Sequence, residues 1–500
     1  MEQENNTKPN FRERFHKPVR KWIACAFWSL LYILFIVWVG NFWWLLLLPF
    51  IFDAFITRFI PWDFWKKTKN KFVYTVCSWI DALVFALVAV YFINIYLFQN
   101  YQIPSSSLEK TLLVGDFLYV SKVAYGPRIP NTPLSLPLVQ NTLPMSTAKS
   151  YLENPQWEYR RLKGLHEVQR GDIVVFNFPA GDTVPLNVSN PDYYTLCYYN
   201  SFATMPVAAD SVVGFNEYRE RLKKGGEVIA YNEANFGKVI WRPVDKRENY
   251  VKRCIGLPGE TLEIRNDVVY IDGKPLQDPE HLQHSYYVET DGTAFSADML
   301  KKLDIRLDET YEISNPELLK YMAIGCDTAG NLRGRVFRLS LTKSTLEKVK
   351  KIPFVKMVKQ ETEIPDAYNT IFPLAYSQRW SVHNYGPLYI PKKGETIQLT
   401  EDNLLRYERI ITSYEGNTLD FRNGKAYVNG KEAKSYTFKM DYYWMMGDNR
   451  DNSADSRMWG FVPEDHIVGR PVFVWLSLNK ERSWSEGRLR VNRLFRNAKR

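Results

Sequence analysis

The chain has 500 residues, 24% charged and 15% aromatic, with a mean hydropathy of −0.32. That exceeds one compact domain and leaves room for two or three mostly water-soluble cores. Five cysteines are too sparse, and odd in number, for a disulfide-rich scaffold.

The net charge of +10 is not spread evenly. It gathers at Lys8, Arg12, Arg14, Lys17, Arg20 and Lys21, at Lys66, Lys67, Lys69 and Lys71, and in the tail from Arg488 to Arg500. Because these groups flank apolar segments, they read as membrane orientation signals, and no nucleic-acid partner is expected. After a basic arm (1–21), residues 22–60 are almost continuously apolar, broken by Gly40-Asn41 and carrying Asp53 and Arg58. A single helix crosses a bilayer in about 20 residues, so this run is long enough for two spans. Gly40-Asn41 is a turn pair, and Trp38, Trp43 and Trp44 suit an interfacial belt. A further apolar stretch, 79–98, follows a basic loop (61–78). With both basic segments cytoplasmic, 22–60 reads as a transmembrane hairpin and 79–98 as a third span that delivers the rest outside. One long tilted helix or a re-entrant segment are the alternatives. The first apolar run is too long for a cleaved secretory peptide and lacks a small-residue cut site.

Beyond residue 99 the texture turns to short β-rich runs. Asp172-Ile173-Val174-Val175-Phe176-Asn177-Phe178 reads as a core strand opened by Arg170-Gly171. TLEIRNDVVYIDGKPL (261–276) matches TLDFRNGKAYVNGKEA (418–433) without a gap, which is either a duplicated unit or two hairpins with similar turns. Residues 185–249 read as an insertion with a charged helix near 216–224. Residues 276–440 are long enough for a second inserted domain, with helices near 315–324 and 342–350 and punctuation at Pro353, Pro365 and Pro373. The basic end, 481–500, reads as a solvated or membrane-surface tail. A disulfide between Cys197 and Cys326 is left open, Cys254 reads as a buried free thiol, and oligomeric state is not legible.

Three segments can carry chemistry. Ile103-Pro104-Ser105-Ser106-Ser107-Leu108-Glu109-Lys110-Thr111-Leu112 offers serines, and a serine attacks a carbonyl only when a base takes its proton. His16, His166, His281, His284, His383 and His466 are scattered and lie in no triad-like context. In Tyr250-Val251-Lys252-Arg253-Cys254-Ile255-Gly256-Leu257-Pro258-Gly259, Lys252 sits in an apolar run, where burial would make it a base near neutrality at a cost of about 4 kcal/mol. An edge-strand lysine with its head in water is the structural alternative. The third segment, 445–460, is a dense polar loop in which Asp455 and Arg457 can pair and Ser453 can orient an amine. Its acidic spacing does not fit a twelve-residue calcium loop, and no metal or cofactor is expected.

In this order, PSSSL…TLLVGDFLYVSKVAYG, RGDIVVF, YVKRCIGLPGE and MMGDNRDNSADSRMWGFVPEDHIVGRP resemble bacterial type I signal peptidases, the leader peptidases of the Ser–Lys class. The resemblance covers about 150 residues and leaves both insertions unmatched. It implies a membrane-anchored, mainly β protein, with N-terminal transmembrane helices before an antiparallel β catalytic domain of signal-peptidase type. That domain would comprise 99–275 and 441–480, with 276–440 inserted as a second domain. It implies Ser107 as nucleophile, Lys252 as general base, Ser105 as oxyanion-hole donor with the Ser107 N–H, Ser453 orienting the lysine, and Asp455 and Arg457 bracing the loop. The partners implied are exported pre-proteins with signal peptides, cut after small residues at the third and first positions before the bond, and membrane lipid. The location implied is the bacterial cytoplasmic membrane, multi-pass, with the catalytic part outside. Two positions depart from the family: Leu108 stands where Met is usual and Lys110 where Pro is usual. Rival readings are a membrane-anchored domain that binds exported proteins without cutting them, and a Ser–Lys hydrolase of soluble substrates or an autoprocessing relative.

Overall fold

The computed structural model describes residues 15–146, 148–206, 213–327, 333–361, 371–376 and 379–498. Lys8, Arg12, Arg14, Pro365 and Arg500 lie outside them. Helix α1, Val19–Val39, ends at Gly40, whose φ of +64° lets its N–H return to the Ile36 carbonyl. The Asn41 side chain accepts from Trp43 N and starts a run of short helical turns, Phe42–Leu47, Leu48–Phe52 and Asp53–Thr57. This run doubles back along α1. The Phe52 ring lies 6.0 Å from Trp22, and the Tyr32 hydroxyl donates to the Trp44 carbonyl at 2.7 Å. Asp53 closes the run by accepting from the N–H groups of Phe59 and Ile60 and from Trp62 Nε1. Helix α2, Lys71–Tyr96, is capped by the Asn70 side chain. Among the described residues, α1 and α2 are long and apolar enough to cross a membrane, while Phe42–Thr57 is shorter.

The core is one antiparallel sheet. Its strands are β1 (Phe98–Gln102), β2 (Asp116–Ser121), β3 (Ile173–Asn177), β4 (Asn249–Gly256), β5 (Tyr442–Met446), β6 (Val462–Pro463), β7 (Ile467–Ser477) and β8 (Arg496–Asn497). The order across the sheet is β1-β2-β7-β3-β4-β5-β6, with β8 paired to β7. β1 follows α2 directly, so the sheet hangs from the end of that helix. β3 is buried along its whole length, as its unbroken β-branched and aromatic run requires. β4 lies between β3 and β5, and Val174 stands opposite Lys252.

A second core contains the sequence echo. Thr261–Arg265, Val268–Ile271 and Lys274–Pro275 form a three-stranded meander, and Leu419–Arg422, Lys425–Val428 and Lys431–Glu432 form another. The registers are equivalent: Leu262 faces Ile271 in the first and Leu419 faces Val428 in the second. The alternating apolar residues and the glycine turns at Gly273 and Gly430 dictate both. Tyr385–Tyr389 pairs with Thr261–Arg265, so residues 371–440 pack in one cluster with 261–276. Residues 283–360 instead form their own four-stranded sheet, ordered Tyr311–Ile313, Val336–Thr342, Gln283–Thr290, Val355–Gln360. Separate apolar clusters back it. The helices expected near 216–224, 315–324 and 342–350 are present as Phe215–Tyr231, Pro316–Tyr321 and Lys343–Val349. All five cysteines are free, so Cys197 and Cys326 do not pair, and Cys254 is a buried thiol.

Candidate active site

Ser107 sits in a tight turn just after β1. Leu108, fully buried in the apolar cluster beneath the sheet, pins the turn from below. Hydrogen bonds from Glu109 N to the Ser106 carbonyl and from Leu112 N to the Leu108 carbonyl close it. Ser107 is itself buried, and Lys252 Nζ donates to its Oγ at 2.6 Å. β4 carries Lys252 in the interior of the sheet, not at its edge, and its side chain is buried. That burial draws the amine from its ordinary value near 10.5 down to about 8, while the Asp455 and Asp448 carboxylates hold it from falling further.

The loop after β5 packs over this pair. Asp455 and Arg457 form a buried two-pronged ion pair, with Arg457 Nε and Nη2 each 2.9 Å from the carboxylate. Asp455 also accepts from Gly447 N at 3.1 Å. Asn449 N donates to the Ser107 carbonyl at 3.1 Å, tying the loop to the serine turn. Gly447 lies where a Cβ would stand 2.3 Å from Ser453 Oγ and 2.6 Å from the Ser107 carbonyl oxygen, so only glycine lets the two strands of chain approach this closely. Ser453 is buried there, and its Oγ has no hydrogen-bond partner among the described residues. Ser105 is exposed two residues before Ser107. Among the described residues the Ser107 N–H makes no hydrogen bond. The fold thus gathers Ser105, Ser107, Lys252, Ser453, Asp455 and Arg457 from three distant segments. The direct contacts among them are Lys252–Ser107 and Arg457–Asp455.

Several neighbours were not singled out in the sequence. Arg253 points to the opposite side from Lys252 and grips Asp448 through Nε and Nη2 at 2.7 and 2.6 Å. Thr111 Oγ1 donates to the same carboxylate at 2.7 Å. Arg253 and Asp448 do lie inside the quoted motifs, and opposite charges in two of those motifs, one on β4 and one in the loop after β5, were the available signal. Arg306 and Glu309, from the turn before Tyr311–Ile313, reach the serine turn. Arg306 stands 3.8 Å from Glu109 and 3.3 Å from Glu309, and Asn449 Nδ2 donates to Glu309 at 3.1 Å. Burial pushes the Glu109 carboxyl up to about 7, opposed by Lys110 and Arg306. No histidine touches Ser107 among the described residues. His466 accepts from Arg247 Nη1 and donates to Asp465, and burial lowers its imidazole to about 4. Asp267, His383 and Asp451 lie close enough together for one metal ion, but His383 Nδ1 already donates to Asp267 at 2.6 Å.

Residues 76–309 and 393–476 match the signal peptidase, peptidase S26, family. The chain is 23% identical over 439 residues to signal peptidase I of Buchnera aphidicola subsp. Acyrthosiphon pisum, covering 86% of this chain and 83% of that one. With signal peptidase I of Haemophilus influenzae it shares 23% over 438 residues, 86% of this chain and 78% of the other. A shorter stretch of 36 residues is 58% identical to signal peptidase I of Aquifex aeolicus, 7% of this chain and 14% of that one. The family match spans most of the chain and takes in both the serine turn and the buried lysine, and the chain belongs to the bacterial type I signal peptidases of peptidase family S26.

Proposed function

We propose that the chain removes N-terminal signal peptides from exported pre-proteins, with Ser107 as nucleophile and Lys252 as general base. The observation that carries this reading is the 2.6 Å contact between a buried amine and a buried serine hydroxyl. A lysine near 8 is substantially neutral at mildly alkaline pH and can take a proton from the hydroxyl within that hydrogen bond. The Ser107 oxygen then adds to the scissile carbonyl carbon, and the charge on the carbonyl oxygen falls to the free Ser107 N–H and the Ser105 hydroxyl. The Lys252 ammonium returns its proton to the leaving amine as the C–N bond breaks. A water, deprotonated by the same amine, hydrolyses the acyl-enzyme and restores Ser107. Ser453, whose buried hydroxyl is uncommitted, orients the amine through these steps, and the Asp455–Arg457 pair holds the loop that presents it.

Small residues at the third and first positions before the bond fit pockets that larger side chains would overfill. The apolar character of α1 and α2 supports membrane anchoring, and the doubling back of Phe42–Thr57 along α1 supports the 22–60 hairpin. The basic arm and the 61–78 loop then lie in the cytoplasm and the catalytic part outside. Ser107 follows α2 by about ten residues, so even an extended link keeps it within roughly 35 Å of the helix end, at the height where a membrane-held signal peptide presents its cut site. We read 283–360 as the self-contained part of the inserted 276–440 segment. The test is cleavage of a synthetic signal peptide ending in Ala-x-Ala, in detergent or lipid, by wild type, Ser107→Ala and Lys252→Ala, with products weighed by mass spectrometry. Cutting directly after that site by wild type alone is expected. Full activity of Lys252→Ala would overturn the lysine-base assignment, and a folded but inactive wild type would favour the binding-only alternative.

A further inference from the structure

A cavity of about 630 Å³ lies between the end of α2 and the core sheet, away from the Ser107–Lys252 contact. Its wall is apolar where Val90 and Ile93 of α2, Phe98 of β1 and Leu138 face it. The opposite side is basic: Lys122, Arg128 and Lys246 all line it. Arg128 is engaged, with Nη2 donating to Asn177 Oδ1 at 2.7 Å and Nη1 donating to the Asp465 carbonyl. The two lysines are not. Among the described residues neither ammonium makes a hydrogen bond or an ion pair, although Lys246 is only 7% exposed. Its Nζ stands 5.4 Å from the centre of the Tyr151 ring.

One carboxylate, Asp245, lines the same cavity, but its Oδ2 is taken by the Thr132 N–H and hydroxyl, each at 2.9 Å. Its Oδ1 is buried without a partner. Three cations therefore share a single carboxylate, one of whose oxygens is already bonded to Thr132. Burial and mutual repulsion push the Lys122 amine down to about 7, and burial also lowers Lys246. Uncompensated ammonium groups in such a place are costly unless a ligand completes them.

We propose that this cavity is a phosphate site, in which Lys122, Lys246 and Arg128 take the phosphate of a phospholipid headgroup or a phosphate free in solution. A phosphate brings charge enough for several cations and oxygens enough to accept from both lysines at once. The apolar wall runs along α2, in position to take the glyceride portion of a lipid whose head enters the basic end. The lipid source rests on the membrane reading of α2; phosphate binding itself does not.

The test uses the full chain in nonionic detergent, with thermal unfolding and native mass spectrometry as readouts. Phosphatidylglycerol, diacylglycerol as its phosphate-free counterpart, and inorganic phosphate against chloride at equal ionic strength are compared. A raised midpoint and a retained adduct with phosphatidylglycerol but not diacylglycerol are expected, and they would assign a lipid source. An equal response to inorganic phosphate would assign the free ion. In either case Lys122→Met with Lys246→Met should weaken apparent affinity at least tenfold, and the Lys122→Met single variant, at a partly buried residue, should weaken it in the same direction. No response of wild type to any phosphate compound, or an equal response in the variants, overturns the proposal. Because the readout is binding, its failure is distinct from failure of the peptide-cleavage test.

Discussion

Lys252→Met separates what the proposed base does for chemistry from what it does to the fold. Burial takes the amine from about 10.5 to about 8, and each tenfold change in proton affinity is worth about 1.4 kcal/mol. Folding therefore carries a penalty of about 3 kcal/mol wherever the folded and unfolded chains are both protonated, that is below about pH 8. Between about pH 8 and 10.5 the unfolded chain binds more protons than the folded one, so stability rises with pH and the penalty fades. Methionine keeps most of the apolar stem and removes the charge, at the loss of one buried hydrogen bond worth about 1 kcal/mol. The variant should be more stable than wild type by about 2 kcal/mol near neutral pH, and the advantage should vanish towards pH 10.5. Thermal unfolding in nonionic micelles, followed by tryptophan fluorescence at about pH 6.5 and about pH 10, measures this, with peptide cleavage assayed in parallel. A variant less stable than wild type at the lower pH, or one with the same advantage at both, would refute the reasoning that burial sets this amine.

The pH dependence of kcat/KM should rise about tenfold per pH unit below an inflection near 8. The inflection should move to lower pH in Asp455→Asn, because the Asp455 charge holds the amine up; an unmoved limb in a folded variant counts against Lys252 as its source. Gly447→Ala places a methyl 2.3 Å from Ser453 Oγ and 2.6 Å from the Ser107 carbonyl oxygen. It should lower stability by about 1–3 kcal/mol and cut activity at least tenfold, checked by unfolding and cleavage of one preparation. Lys110→Pro demands a φ near −65°, whereas this backbone sits at +71°. It should disable the serine turn, while Lys110→Gly retains the conformation and most of the cleavage rate.

The residues of the candidate site were legible because they are concentrated in short motifs, but the geometry that brings them together was not. Lys252 lies in an apolar run that suits an edge strand as well as an interior one, because alternation reports which face a residue takes and not what flanks its strand. The strand that covers it, β5, comes nearly two hundred positions later. The same distance hid the Arg253–Asp448 grip, although both charges stand in recognised motifs. Arg306 and Glu309 belong to no motif at all. The repeated meander, by contrast, is local: glycine turns and apolar alternation fix it, and both copies fold alike.

The departure at Lys110 is more than an exchange of side chains. Where the family usually has proline, whose ring fixes φ and stiffens the turn, this chain bends the backbone into the left-handed region and extends an amine. That amine meets Asp304 at 2.8 Å, and Arg306, two residues on, stands between Glu109 and Glu309. Glu309 in turn accepts from Asn449, the residue whose N–H holds the Ser107 carbonyl. The serine turn is therefore braced from outside the sheet, by residues 304–309, in place of the stiffness a proline supplies from within. An exposed ion pair such as Lys110–Asp304 contributes little alone, since Asp304 is largely in water. The buried links through Arg306, Glu309 and Asn449 carry most of the bracing. The position of Ser107 thus depends on a segment that shares no motif with it, and changes at Arg306 or Glu309 reach Ser107 through Asn449 without touching Lys252.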